Sequence, residues 1–264
     1  MFVKSLTIIV LTATIACSGA QAAALFSTDF TATGLGANLT TAGPANFGGG
    51  QAGTGVYAGQ TVLRQLDGSS SESVRTYVQT LDTNYNTIDF KFRLAFSELA
   101  SGSGDDFIFL GLGKPAPFGA SNEPGTGVFM RIHTGNFVGV NNLASRNLGT
   151  SVASSSGPNI GGGAHVAQIE KTGSLLSFSV DILNNGTFVP FGSTVDLSSP
   201  TYSFLNATNS QLFFGTGSFR PEFNSLSVTS DTAVPEPASL SVLGLGMLGA
   251  IAARRARRKS VAAA

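Results

Sequence analysis

Residues 88–97 read Ile88-Asp89-Phe90-Lys91-Phe92-Arg93-Leu94-Ala95-Phe96-Ser97. Apolar side chains occupy every second position, and Asp, Lys, Arg, Ala and Ser stand between them. Successive side chains of a strand point to opposite faces of a sheet, so this spacing buries one face and exposes the other. A helix would spread the same apolar side chains around its axis. The stretch therefore predicts a half-buried β-strand.

A second alternating stretch predicts a hairpin. Its apolar positions are Leu176, Phe178, Val180 and Ile182, and Asn184-Asn185-Gly186 and Thr187-Phe188-Val189 follow. An Asn-Gly pair supplies the positive φ angles that a tight hairpin turn needs. We therefore expect a strand, a tight turn and a returning strand.

The rest of the middle section also has the pattern of strands. Short apolar runs predict strands at 74–81, 107–111, 128–133, 211–215 and 223–229. Residues 107–110 are apolar on both faces, which indicates a central strand covered on both sides. Two stretches rich in small and polar residues, 34–59 and 144–163, are interpreted as long loops. Many strands without a helical period predict an all-β domain over residues 25–229, an antiparallel jelly roll or β-sandwich.

The amino end has the pattern of a signal peptide over residues 1–24. Lys4 precedes an apolar run, and Ala20-Gln21-Ala22 and Ala22-Ala23-Ala24 both fit small-residue cleavage sites. Cys17 is the only cysteine, and cleavage removes it. The residues before Cys17 partly resemble a lipoprotein box, but Thr14 stands where Leu is expected, so simple cleavage is favoured. The exported chain is then expected to have no disulfide.

The carboxyl end has three parts. A linker, 230–237, carries Val234, Pro235, Glu236 and Pro237; an uncharged apolar segment, 238–253, follows; and a basic tail, 254–264, contains Arg254, Arg255, Arg257, Arg258 and Lys259. As a helix the apolar segment would be roughly 24 Å long, against a bilayer core of about 30 Å. We expect it to be a short transmembrane helix, with the basic cluster kept in the cytoplasm.

The order of these three parts resembles the PEP-CTERM sorting signal of Gram-negative bacteria. The resemblance implies that a membrane enzyme, exosortase, recognises the tail and cleaves at or near Pro-Glu-Pro. It also implies export, a transient hold in the inner membrane, and delivery to the cell surface or the extracellular exopolysaccharide matrix. An ordinary carboxyl-terminal membrane anchor is the alternative.

The middle section resembles a known fold as well. The strand at 88–96, the segment Gly104-Asp105-Asp106-Phe107-Ile108-Phe109-Leu110-Gly111, the late hairpin and the strand at 223–228 together resemble the concanavalin A-like, laminin-G-type jelly roll. In that fold the closing strand often pairs near the first strand, which is expected here at 27–30. An immunoglobulin-like or other β-sandwich is the alternative.

Charge limits the classes of partner. The chain has 15 basic and 15 acidic residues. Without Lys4, the five basic tail residues and Glu236, nine basic and 14 acidic residues remain, a net charge of −5. Nucleic-acid binding needs clustered Lys and Arg, so no nucleic-acid partner is expected.

Catalytic motifs are absent from the sequence. Jelly-roll glycosidases carry an E-x-D-x-x-E arrangement, and none of the body glutamates (Glu72, Glu98, Glu123, Glu170, Glu222) belongs to one. Retaining glycoside hydrolysis needs two carboxyl groups about 5 Å apart. The two histidines, His133 and His165, are interpreted as surface or capping residues. We therefore expect a protein that is not an enzyme.

Two segments are weak candidates for Ca²⁺. Asp82, Asn84 and Asn86 place oxygen ligands at positions 1, 3 and 5 of a loop, but the Gly at position 6 and the Glu at position 12 are missing. Asp105 and Asp106 are the only adjacent acidic pair of the body. Turn formation explains both segments equally well or better, so no cofactor is expected.

Two functions stay open at this point. The first is a non-catalytic structural or exopolysaccharide-associated surface protein. The second is a secreted carbohydrate-binding lectin or hydrolase with a Ca²⁺ site.

Overall fold

The computed structural model describes residues 22–30, 35, 37–42, 47–51, 61–65, 75–81, 84–97, 107–114, 125–133, 141–217 and 222–233. The jelly-roll body is the compact unit Ala22–Thr232. Most of the predicted signal peptide and the sorting tail from Val234 onward lie outside the described residues, as do Asp82, Asp105 and Asp106. No helix within the described ranges is long and apolar enough to cross a membrane.

The described residues form strands joined by turns and two short 3₁₀ turns, Tyr85–Thr87 and Pro200–Tyr202. In chain order the strands are β1 (Ala22–Thr28), β2 (Leu39–Ala42), β3 (Phe47–Gln51), β4 (Thr61–Gln65), β5 (Arg75–Thr80), β6 (Phe90–Ser97), β7 (Phe107–Lys114), β8 (Thr126–His133), β9 (Asn142–Asn147), β10 (Thr150–Ser156), β11 (Ala164–Thr172), β12 (Leu175–Asp181), β13 (Val189–Pro190), β14 (Val195–Asp196), β15 (Gln211–Gly217) and β16 (Glu222–Ala233).

Two antiparallel sheets contain these strands. The nine-stranded sheet has the order β13-β12-β11-β6-β16-β4-β3, with β1 paired to β16 and β14 paired to β12. The seven-stranded sheet has the order β10-β9-β8-β7-β15-β5-β2. Sequence neighbours such as β6 and β7 lie in different sheets, so the chain crosses between the layers repeatedly. The predicted all-β jelly-roll class is confirmed.

The alternating stretch at 88–96 forms a central strand, β6. It pairs with β11 on one side and β16 on the other. Phe90, Phe92, Leu94 and Phe96 are buried, and Arg93 is exposed on the opposite face. Burying one such side chain stabilises a fold by roughly 1.5–3 kcal/mol. The alternation therefore divides β6 into a core face and an outer face.

Phenylalanine rings from both sheets fill the space between the layers. Phe214 of β15 and Phe223 of β16 meet edge to face, with ring centroids 5.0 Å apart. Phe30, just after β1, lies 5.8 Å from Phe214. Edge-to-face contacts of this kind suit the ring quadrupoles and add to area burial. Packed phenylalanine rings therefore fill the core, and the chain contains no tryptophan.

A smaller apolar cluster lies on the other face of the seven-stranded sheet. It consists of Phe109, Phe129, Ala144 and Phe213, and the three phenylalanines are fully buried. Ile108 and Leu110, the neighbours of Phe109 on β7, belong to the core between the sheets. The prediction that residues 107–110 form a strand covered on both faces is confirmed.

The strands predicted at 74–81, 107–111, 128–133, 211–215 and 223–229 are present, and the first and last strands, β1 and β16, pair as expected. The first strand is Ala22–Thr28, whereas the sequence placed it at 27–30. The final strand is longer than predicted. It reaches Ala233, so residues 230–233 are strand, although the sequence placed them in the linker.

The interpretation of 34–59 and 144–163 as loops is wrong. The first stretch contains β2 and β3, and the second contains most of β9 and all of β10. The strands β4 and β11 were also missed. Most residues of β10 are exposed, and β3 reads Phe-Gly-Gly-Gly-Gln, so neither shows apolar alternation. Pairing with neighbouring strands, and not intrinsic strand propensity, stabilises segments such as β3 and β10.

The predicted hairpin is present, but the tight two-residue turn is wrong. Val180 of β12 pairs with Val189 of β13, so the connecting loop is wider. Within it Asn184 and Gly186 take positive φ angles of 50° and 89°. The carboxylate of Asp181 accepts hydrogen bonds from the backbone N–H groups of Asn185 and Gly186, at 3.1 and 2.6 Å. A side chain therefore organises this loop in place of an Asn-Gly turn.

Candidate functional site

The described residues of the first Ca²⁺ candidate, Asn84 and Asn86, form hydrogen bonds within the protein. The amide nitrogen of Asn86 donates to the carbonyl of Leu205 at 3.0 Å. The carbonyl of Asn84 accepts from the Thr87 hydroxyl at 3.0 Å. These bonds fasten the 3₁₀ turn Tyr85–Thr87 to the segment before β15. No group of three or more His, Cys, Asp or Glu side chains that could hold a metal occurs among the described residues. Calcium binding stays the alternative to the expectation of no cofactor.

His165 is buried, so its interpretation as a surface or capping residue is wrong. Its side chain is 1% exposed. Its Nδ1 lies 2.8 Å from the carbonyl oxygen of Ile182, which fixes the tautomer that carries a proton on Nδ1. Burial lowers the pKa of His165, and the carbonyls of Ile182 and Gly161 and the charge of Asp181 offset this in part. The neutral imidazole therefore ties β11 to the start of the hairpin loop.

The outer face of the nine-stranded sheet carries a cleft of about 460 Å³. It lies across β6, β11, β12 and β16, and the end of β1 and the hairpin loop after β12 form its rim. Its lining combines two carboxylates, one guanidinium, amides, hydroxyls and an aromatic ring: Ser27, Asp29, Arg93, Ala95, Val166, Asp181, Asn184, Gly186, Phe188, Asn224, Ser225, Leu226 and Ser227. We call this the outer-sheet cleft.

Arg93 lines the outer-sheet cleft from the outer face of β6. Its neighbours across the strands are Gln168 on β11 and Ser227 on β16. The Nε of Arg93 donates to the Gln168 side-chain oxygen at 2.7 Å. Its guanidinium lies 5.0 Å from the centroid of the Phe188 ring. Among the described residues, the terminal nitrogens of Arg93 have no hydrogen-bonding or ionic partner.

A line of polar side chains holds Gln168 in place. Its amide nitrogen donates to Glu170 at 3.3 Å and to the Ser179 hydroxyl at 3.5 Å. Glu170 in turn forms an ion pair with Lys91 at 3.3 Å. These bonds direct the amide oxygen of Gln168 at Arg93. The pairing of β11 with β6 therefore positions the guanidinium before any ligand binds.

The hairpin loop supplies the aromatic side of the cleft. Asp181 is buried, and both of its oxygens accept the backbone hydrogen bonds described above. The N–H of Thr187 donates to the side-chain oxygen of Asn185 at 3.0 Å, which tightens the loop further. Phe188 follows immediately and is half-buried. Asp181 therefore places Phe188 beside Arg93 and is not itself an exposed carboxylate.

The opposite side of the cleft contains a β-bulge. The pairing of β16 with β6 shifts between Phe223 and Ser225, and Asn224 is the extra residue. A bulge bends a strand and re-aims its side chains, and bulges are frequent beside binding sites. Here Asn224 lines the cleft while Phe223 stays in the core.

The rim at β1 carries an exposed carboxylate, Asp29. Phe30 beside it is fully buried and has a φ of 43°, a strained angle for a bulky residue. Because Phe30 is buried between the sheets, the backbone of its neighbour Asp29 is held at the rim of the cleft. Within the described part of the chain Asp29 has no hydrogen-bonding or ionic partner.

The ionisable side chains that line the cleft are Arg93, Asp29 and Asp181. Its lining includes no His, Cys or Glu, as judged on the described residues that form it. Sequence reasoning placed Arg93 on an outer strand face but gave it no role, and it did not single out Asp29, Asp181 or Phe188. The alternation on β6 showed that Arg93 lies on an outer strand face. It could not show that Gln168 and Phe188 contact Arg93, because both are distant in sequence.

Several solved structures that share this fold are lectin-type jelly rolls. The exoplasmic/lumenal domain of VIP36, in a form bound to Ca²⁺ and Man2, has a TM-score of 0.53 at 11% identity and covers 81% of this chain and 90% of its own. The winged bean acidic lectin, complexed with methyl-α-D-galactose, has a TM-score of 0.52 at 15% identity, over 78% of this chain and 97% of its own. The protein is therefore a concanavalin A-like jelly roll.

A Bacteroides ovatus protein, xyloglucan PUL GH43B, is also similar, with a TM-score of 0.52 at 11% identity over 77% of this chain and 39% of its own. At such identities the likeness concerns the fold alone.

The particular feature of this chain is its tail. Residues 233–258 match the PEP-CTERM protein-sorting motif. Among curated proteins, none matches the chain in sequence.

Proposed function

We propose that this is an exported surface or extracellular-matrix protein of a Gram-negative bacterium with a non-catalytic, exopolysaccharide-associated role. The match of residues 233–258 to the PEP-CTERM motif carries the proposal. A signal peptide over 1–24 starts export, and exosortase recognises the tail and cleaves near Pro235-Glu236-Pro237. The inner membrane holds the chain only until that cleavage.

The physical properties of the tail support a transient hold. The uncharged segment 238–253 is short for a bilayer core of about 30 Å. The basic cluster from Arg254 to Lys259 stops transfer on the cytoplasmic side. Cleavage at Pro-Glu-Pro then releases a body that has no span of its own among its described residues.

The body supports an association with carbohydrate. Lectin-type structures share its fold, and the outer-sheet cleft offers hydrogen-bonding groups beside an aromatic ring. Fold alone does not assign function. The role therefore rests on the tail and the cleft together.

Cell fractionation tests the sorting. The full chain is expressed in an exosortase-containing host beside the variant Pro235→Ala/Glu236→Ala/Pro237→Ala, and intact mass is measured in each fraction. We expect the wild-type chain at the surface or in the medium without its basic tail, and the variant at full length in the inner membrane. A wild-type chain that stays uncleaved in the inner membrane contradicts the proposal.

A second candidate, a Ca²⁺-dependent lectin or hydrolase, is favoured by one observation: VIP36 has a Ca²⁺- and Man2-bound form. Melting of the purified chain in excess Ca²⁺ and in EDTA tests it, because a ligand that binds only the folded state raises stability. A calcium-linked rise in melting temperature that Asp105→Asn/Asp106→Asn removes supports this candidate. Equal melting in both buffers excludes it.

A further inference from the structure

We infer that the outer-sheet cleft is a binding site for a short neutral saccharide segment, recognised through Arg93 and Asp29. This inference rests on the proposed function and gives its carbohydrate association a place on the molecule. The cleft volume, about 460 Å³, lies within the roughly 300–1,000 Å³ of small-molecule sites. Every residue in its lining belongs to the described part of the chain.

The charges of the cleft select the class of ligand. An anion would satisfy Arg93 but would be repelled by the exposed carboxylate of Asp29, and a cation would satisfy Asp29 but would be repelled by Arg93. A hydroxyl group both donates and accepts hydrogen bonds. Hydroxyls of one saccharide segment can therefore accept from Arg93 and donate to Asp29. A neutral polyhydroxyl ligand is the class that satisfies both groups.

The guanidinium of Arg93 is held in place before any ligand binds. Gln168 binds the Nε of Arg93 and the Phe188 ring packs against its guanidinium, so the side chain has given up much of its freedom before binding. Its terminal nitrogens stay unpaired among the described residues. Pre-organisation of this kind improves affinity because less entropy is lost on binding.

The rest of the lining suits the same ligand. Hydroxyls of Ser27, Ser225 and Ser227 and the amides of Asn184 and Asn224 surround Arg93. The apolar floor, Ala95 and Val166, and the half-buried ring of Phe188 suit the C–H faces of a sugar ring.

Equilibrium binding to defined probes tests the inference. The chain recovered from the surface fraction is titrated with cellotetraose, maltotetraose, oligosaccharides cut from the exopolysaccharide of the producing cells, and oligogalacturonate of similar length. The cleft variants are Arg93→Met, Phe188→Ala and Asp29→Asn. The matched controls lie outside the lining: Lys114→Met, an exposed cation of the seven-stranded sheet, and Leu183→Ala, an exposed apolar residue of the same loop as Phe188.

We expect at least one neutral oligosaccharide to bind. Arg93→Met and Asp29→Asn should weaken it about tenfold or more, as expected for the loss of a charge-assisted hydrogen bond, and the controls should change it by less than about twofold. Asp29→Asn is the decisive variant because the Asp29 side chain is exposed and has no partner among the described residues, so we expect folding to be unaffected. It weakens a neutral ligand but strengthens an anionic one.

The contrary outcomes are distinct. Binding that all three cleft variants leave unchanged overturns the site but leaves the proposed function standing. Binding of oligogalacturonate alone, strengthened by Asp29→Asn, overturns the class of ligand. Binding of none of the probes, the exopolysaccharide fragments included, overturns the carbohydrate association in the proposed function and the site with it.

Discussion

The guanidinium of Arg93 lies 5.0 Å from the centroid of the Phe188 ring. Arg93 is at the middle of a central strand, and Phe188 is on the loop after β12. The contact therefore joins the sheet face to the loop that forms one side of the outer-sheet cleft. A cation–π contact at an exposed position contributes about 0.5–1 kcal/mol. Its main consequence here is to orient the arginine.

Gln168→Leu should loosen Arg93 without removing it. The variant loses the 2.7 Å bond to the arginine Nε, and we expect the free energy of unfolding to fall by about 1 kcal/mol. Saccharide affinity should fall less than in Arg93→Met, because the guanidinium remains. Urea unfolding and titration on the same preparations measure the two effects. An affinity loss equal to that of Arg93→Met would show that Gln168 contacts the ligand itself.

Asp181→Asn should weaken the loop that carries Phe188. An amide replaces the carboxylate whose oxygens accept from Asn185 and Gly186, and these two N–H groups lose charge-assisted bonds. We expect a loss of about 2 kcal/mol in the free energy of unfolding. Asp196→Asn is the control, because Asp196 makes a similar turn with Ser198 in an exposed position. Equal losses in the two variants contradict the structural role of Asp181.

The stability of the protein should depend on pH through His165. Burial lowers its pKa from the usual 6.5, so below about pH 6.5 the unfolded chain takes up a proton that the folded state excludes. The free energy of unfolding should therefore be highest above that pH. It should fall as the pH drops from about 6.5 toward the lowered pKa of the folded state, and it should level off below that pKa.

His165→Gln keeps a side-chain N–H donor near the Ile182 carbonyl but does not titrate. Its stability should depend less on pH below about 6.5 than that of the wild-type chain. Urea unfolding at a series of pH values measures both slopes, and carboxylates contribute equally to each. Identical slopes would remove His165 as the cause.

Two glycines should respond differently to alanine. A Cβ at Gly111 would overlap the ring of Phe213 and lie 2.6 Å from the Cβ of Phe129, so Gly111→Ala should cost roughly 3 kcal/mol or more. Gly173 has a φ of 60° with open space around it, so Gly173→Ala should cost only the backbone strain, roughly 1–2 kcal/mol. Thermal unfolding compares them. A smaller loss at Gly111 than at Gly173 would contradict the close packing of the phenylalanine cluster.

Sequence reasoning predicted the fold where apolar alternation was strong. Residues 88–96 indicated both the buried face of β6 and the outer face that carries Arg93. The same reasoning missed β10, because Ser and Thr at an exposed sheet edge need no apolar alternation. It also missed the tail of β16, where strand continues into the residues assigned to the linker.

The cleft could not be predicted because its contacts are set by strand register. Gln168 is 75 residues from Arg93 in sequence and reaches it only because β11 pairs with β6. The Asn184-Asn185-Gly186 segment indicated a turn, but it did not reveal that Asp181 would widen the loop and place Phe188 beside the sheet. Local sequence patterns predict which face of a strand is buried. Pairing between strands that are distant in sequence decides which side chains meet.

Saturation binding of the surface-recovered wild-type chain to the exopolysaccharide of the producing cells, measured by isothermal titration calorimetry, tests the association with carbohydrate most directly. We expect a saturable heat of binding with the native chain, and none after the chain has been thermally unfolded. The absence of binding by the native chain across the accessible concentration range would contradict the proposed function.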